Sequence, residues 1–121
     1  DVGALAAREP RRLTIMVWHY HDDDVPGPPA AVRLALAHLP PEAATAKLTH
    51  YRIDETHSNA FTVWKSLGAP TAPNEKEYAE MEKAGQLQTL DAPGNVALAD
   101  GSATLTFALP RQAVSLLVLE W

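Results

Sequence analysis

The sequence predicts a mainly β protein, an antiparallel β-sandwich carrying a short helix-loop-helix insert. Short runs rich in Val, Leu, Thr and aromatic residues, bounded by Pro, Gly and Asp clusters, occupy both ends of the chain. Between residues 58 and 85 the apolar spacing changes from two to three, the spacing of a helix. The dipeptide Asp100-Gly101 between two such runs is a strong hairpin signal, because a two-residue loop needs residues that tolerate positive φ.

The elements follow in order. VGALAAR (Val2 to Arg8) reads as a strand ended by the turn Glu9-Pro10-Arg11-Arg12, and LTIMVWHY (Leu13 to Tyr20) as its neighbour. The Pro-laden loop DDDVPGPP cannot continue a ladder, so the second strand stops there. In AVRLALAHL (Ala31 to Leu39) Val32, Leu34 and Leu36 share one face and Arg33 lies on the other, until Pro40 and Pro41 stop the run. TAKLTHYRID (Thr45 to Asp54) alternates in the same way, Leu48 against Lys47 and Thr49.

The period then changes. NAFTVWKSLG places Phe61, Trp64 and Leu67 three residues apart, with Ser58 or Asn59 as N-cap and Gly68 as the stop. NEKEYAEMEKAG repeats the pattern, with Asn74 as cap, Glu75 and Glu77 in the first turn and Gly85 as the end. QLQTL, NVALA, SATLTFAL and AVSLLVLEW return to strands. Seven or eight short strands at this spacing suit a sandwich.

Two strands are odd for a free-standing sandwich. LTIMVWHY offers Leu13, Ile15 and Val17 to one face and Met16, Trp18 and Tyr20 to the other. AVSLLVLEW offers Val114, Leu116 and Val118 to one and Leu117, Leu119 and Trp121 to the other. Apolar residues on both faces imply cover on both faces, and a chain of 121 residues has little to supply it apart from the helical insert. Residues 1–121 read as a single domain, and the opening at Asp1 without a start Met suggests a piece of something longer.

Composition narrows the function. With 15 acidic and 10 basic groups, and basic residues scattered, no stripe exists for a phosphate backbone, so nucleic acid is a poor partner. No apolar run is long enough to span a bilayer as a helix. The absence of cysteine removes disulfides and thiolate metal sites. No cofactor is expected.

Three constellations could carry chemistry. His19 and His21, spaced H-x-H and followed by Asp22, Asp23 and Asp24, are the most metal-like; zinc or another divalent ion accepts such ligands. The competing structural reading is a strand end entering a solvated loop, its Asp side chains bonding local backbone before Pro26-Gly27. Calcium lacks its Gly-spaced oxygen pattern here. Asp54, Glu55, His57 and Ser58 lie close in sequence, but neighbouring residues point in different directions and nothing supplies an oxyanion hole. The structural reading is that Asp54 and His57 fix the strand-to-helix junction by capping and hydrogen bonding. Trp18, Tyr20, Tyr51, Trp64 and Trp121 could stack on sugars, although Trp64, at helical spacing with Phe61 and Leu67, reads as packing.

The segments VWHYHDDDVPGPPAAVRLAL, LTHYRIDETHSNAFTVWKSLGAP, PNEKEYAEMEKAGQLQTL and LPRQAVSLLVLEW, in this order, resemble the C-terminal region of glycoside hydrolase family 39, which includes bacterial β-xylosidases and α-L-iduronidases. The resemblance covers nearly the whole chain, with Phe61 where Tyr is expected and Ala69 where Ser is common. It implies a β-sandwich accessory domain that accompanies a catalytic (β/α)8 barrel. The parent would hydrolyse β-1,4-xylosidic bonds with retention through two glutamates on that barrel. No barrel motif is present, so Glu55, Glu75, Glu77 and Glu80 take neither role, and no catalytic residue is assigned.

The expected work is therefore to brace the barrel and to form an oligomer interface. Xylo-oligosaccharide would be met through the parent, with His57 and Asn59 as candidates for the pocket rim. The alternative is a carbohydrate-binding module gripping xylo-oligosaccharides through a planar row of exposed aromatic rings. The compartment is left open between bacterial cytoplasm and periplasm.

Overall fold

The computed structural model describes residues 1–121. Eight strands and two helices follow one another as β1 (Val2–Glu9), β2 (Arg12–His19), β3 (Ala30–Leu36), β4 (Thr45–Ile53), α1 (Ala60–Ser66), α2 (Glu75–Ala84), β5 (Gln88–Thr89), β6 (Gly94–Ala97), β7 (Ala103–Leu109) and β8 (Val114–Glu120). All pairings are antiparallel. One sheet runs β1-β2-β8-β4-β5, with β6 also on β4, and β3 and β7 form a separate two-stranded sheet. The mainly β class and the helical insert agree with the sequence pattern. The two layers are unequal, six strands against two.

Register explains the core. Ile15 is paired with Leu117, Leu13 with Leu119 and Leu48 with Leu119, so these side chains share the inner face of the large sheet. Val32, Leu105 and Leu109 from the small sheet join them in one buried cluster. Leu109, Leu117 and Leu119 are fully enclosed, each contributing about 1.5–3 kcal/mol by leaving water.

The opposite face of the large sheet has no such cover. Leu5, Met16, Leu116 and Tyr51 form one row across β1, β2, β8 and β4, and Trp18, Val114 and Ile53 form the next. Leu5 is 63%, Met16 39% and Ile53 43% exposed. Trp18 lies across the backbone of Gly3, where a Cβ would stand 2.5 Å from its ring, so only glycine admits the indole there.

The insert forms where its signals predicted. Asn59, not Ser58, caps α1, its Oδ1 accepting from the Phe61 and Thr62 amides. Asn74 and Glu77 form a reciprocal capping box on α2. Neither helix contains a buried residue, and Phe61 and Tyr78 are 58% and 62% exposed. An amphipathic helix ordinarily buries its apolar stripe; these two pack chiefly on each other. The runs QLQTL and NVALA form shorter strands than expected, because β5 and β6 share the edge of β4 and each has only part of its length to pair with.

Candidate functional site: the junction between β4 and α1

Alternation along β4 sends His50 and Arg52 to the inner face beside Leu48. There Arg52, 3% exposed, meets β8 and the end of β7. Its Nε donates to Ser115 Oγ at 3.0 Å, one Nη donates to the Ala108 carbonyl at 3.0 Å, and the other approaches Asp54 Oδ2 at 3.4 Å. His50 Nε2 lies 2.8 Å from the same Ser115 hydroxyl, and its ring meets Phe107 edge-on. Burial, with the Arg52 charge, lowers the His50 pKa, so the ring is neutral at pH 7.

Asp54 organises the chain's exit from the strand. Its Oδ1 accepts from the Thr56 amide at 2.9 Å, the His57 amide at 2.9 Å, the Thr56 hydroxyl at 3.2 Å and His57 Nδ1 at 2.8 Å. Burial alone would raise this carboxyl; the hydrogen bonds from His57 and Thr56 outweigh it and hold the pKa below the usual carboxylate value. Ser58 follows in the left-handed region at φ 54°. Its hydroxyl donates to the Arg52 carbonyl at 2.8 Å and accepts from the Gln88 amide at 2.7 Å, bonds that offset the strain. Asn59 caps α1 and donates through Nδ2 to the Asp54 carbonyl at 3.0 Å.

This arrangement engages the junction's polar side chains with neighbouring backbone and with one another. Both Asp54 oxygens are engaged and its pKa is depressed, the reverse of what a general acid requires. The Ser58 hydroxyl is bonded to backbone groups rather than to His57, so Asp54, His57 and Ser58 do not assemble a nucleophilic triad. A polar cleft of about 420 Å³ opens beside the junction, lined by Asp24, Glu55, Asn59, Phe61 and Arg111 among others. Asn59 thus reaches a cleft, while His57 is held by Asp54.

The second constellation is only partly brought together. His19 is buried and its Nδ1 lies 3.0 Å from the Leu109 carbonyl; His21 Nε2 lies 2.8 Å from His19 Nε2. Because a carbonyl only accepts, His19 Nδ1 carries the proton, and with neutral rings His21 Nε2–H donates to His19 Nε2. The neighbouring Asp22 carboxylate raises the Tyr20 pKa. Asp23 pairs with Arg111 at 2.7 Å. No group of three His, Asp or Glu side chains converges. The candidate stacking residues are likewise dispersed: Trp121 lies under Arg8, Trp64 stacks on Phe61 within α1, and Tyr51 and Trp18 lie on the outer sheet face.

Sequence reasoning missed Arg52, His50 and Ser115 as a unit. The signal was present in THYRID, where a face begun by Leu48 continues with two ionisable residues that need partners.

No protein-family model matches the chain, and no curated protein is similar enough in sequence to match it. Solved structures do match. A GH39 enzyme from Xanthomonas axonopodis pv. citri aligns with TM-score 0.81 and 21% identity over 97% of this chain. A bacterial orthologue of human α-L-iduronidase aligns with TM-score 0.78 and 25% identity over 98%. A monomeric β-xylosidase from Caulobacter crescentus CB15 aligns with TM-score 0.75 and 19% identity over 97%. This chain has the fold of a domain-sized region of GH39 enzymes. It spans only 25%, 22% and 26% of the length of those three proteins, so about three quarters of each of them has no counterpart here.

Proposed function

We propose that this chain is a non-catalytic accessory domain of a GH39-type glycoside hydrolase, bracing a separate catalytic barrel. The observation that carries the reading is the coverage: nearly all of this chain aligns with about a quarter of each enzyme. The junction supports it, since Arg52, Asp54 and His57 are engaged in holding strand to helix. The parent's chemistry, retaining hydrolysis of β-xylosidic bonds through two glutamates, would lie on the barrel, and xylo-oligosaccharide would be its substrate.

The outer face of the large sheet supplies the surface for docking. The row Leu5, Met16, Leu116 and Tyr51, together with the unburied faces of α1 and α2, suits a second body of protein better than water. The Caulobacter β-xylosidase with this fold is described as monomeric, which favours the rest of one polypeptide over a second copy as the natural occupant. A carbohydrate-binding module would need a continuous row of exposed rings. The most exposed ones, Tyr20, Phe61 and Tyr78, stand after β2, on α1 and on α2.

Expressed alone, the chain should associate through the bare face. Sedimentation velocity should show concentration-dependent oligomers that revert to monomer in Leu5→Lys/Met16→Lys, whose side chains sit directly opposite each other on β1 and β2. A clean monomer at millimolar concentration would count against docking through this face.

A further inference from the structure

We propose that His19 and His21 form a two-imidazole site for a divalent transition metal of tetragonal preference, Cu2+ or Ni2+. The inference is independent of the accessory-domain reading and rests on the geometry of the two rings. Their Nε2 atoms are 2.8 Å apart and their ring centroids 4.5 Å apart, with the planes at 66°. Two imidazole nitrogens each about 2.0 Å from one ion and at right angles stand about 2.8 Å apart, with centroids about 4.5 Å apart. A tetrahedral ion at the same bond length would need about 3.3 Å between the nitrogens.

The surroundings fit a ligand pair. The Leu109 carbonyl fixes the proton of His19 on Nδ1, the outer-shell bond typical of metal-binding histidines, so its Nε2 presents a lone pair that accepts from His21 until an ion replaces that proton. β2 holds this ring in the core, while His21 lies just beyond the strand and can adjust. When an ion enters, the His21 proton moves from Nε2 to Nδ1, so both rings remain neutral and both Nε2 atoms bond the metal. The pair borders a cleft of about 390 Å³ lined also by Tyr20 and Gln112, with room for waters in the remaining positions. Arg111, whose charge acts on His21, is paired with Asp23 at 2.7 Å.

Titration calorimetry of tag-free protein with NiCl2 in a non-coordinating buffer tests this, with CuSO4 followed by electron paramagnetic resonance. One ion per chain is expected, with hyperfine coupling to two nitrogens for Cu2+. At least tenfold weaker Ni2+ binding is expected in His21→Ala, whose side chain lies outside the core, and unchanged binding in His38→Ala, an exposed histidine elsewhere. Absence of Ni2+ binding, binding unaffected by His21→Ala, or clearly tighter binding of Zn2+ than of Ni2+ would overturn the proposal.

Discussion

Arg52→Ala should lower the melting temperature by about 10–20 °C, the largest effect expected of any single substitution. The guanidinium is buried and joins three elements: Ser115 of β8, the Ala108 carbonyl of β7 and Asp54 beyond β4. Its removal leaves the Asp54 carboxylate without its cation and the Ala108 carbonyl without its donor. Breaking a buried charge pair by removing one partner costs about 3–5 kcal/mol. Against a total stability of about 5–15 kcal/mol that is a large fraction, and for a domain of this size it converts to the stated shift. Arg52→Lys should recover only part of it, because a single ammonium cannot make the three divergent bonds. A shift of less than 2 °C in Arg52→Ala, measured by calorimetry, would show that the network contributes little.

The second large effect is expected at Gly101. Asp100 and Gly101 have φ values of 50° and 76°, the pattern of a type I′ turn, closed by the paired Ala99 and Ser102. The Gly101 carbonyl also accepts from the amide of Leu39, a core residue. A Cβ at Gly101 would stand 2.2 Å from the Leu39 carbonyl oxygen, so Gly101→Ala must push that backbone away in addition to adopting a left-handed conformation. The two costs together come to about 2–4 kcal/mol. Gly68 separates them. Its φ is 88° but nothing lies within 4 Å of a Cβ there, so Gly68→Ala should cost only about 1 kcal/mol. Equal destabilisation of the two variants in urea unfolding would remove the steric part of the explanation.

The fold was legible because its local signals agree with one another. Alternation set the faces of β3 and β4, Asn74 with Glu77 set the start of α2, and Asp100-Gly101 set the hairpin turn. Apolar residues on both faces of β2 and β8 pointed to a sheet face in want of cover, and Leu5 and Met16 stand exposed on it. The unequal division of strands between layers was not legible, because alternation reports which residues face inward and not which sheet a strand joins. The junction was legible in part. Its capping role for Asp54 and Asn59 followed from side-chain chemistry, whereas the Arg52–Ser115–His50 cluster depends on contacts 63 and 65 residues apart in sequence. The approach of His19 to His21 was foreshadowed by H-x-H spacing; its anchor, the Leu109 carbonyl, lies 90 residues away.

The most direct measurement of the central claim is hydrolysis of a chromogenic aryl β-xyloside by this chain alone, alongside Asp54→Asn and His57→Gln. A non-catalytic brace predicts turnover indistinguishable from buffer in all three. Turnover by the unaltered chain that disappears in either variant would make the β4–α1 junction an active site and contradict the account.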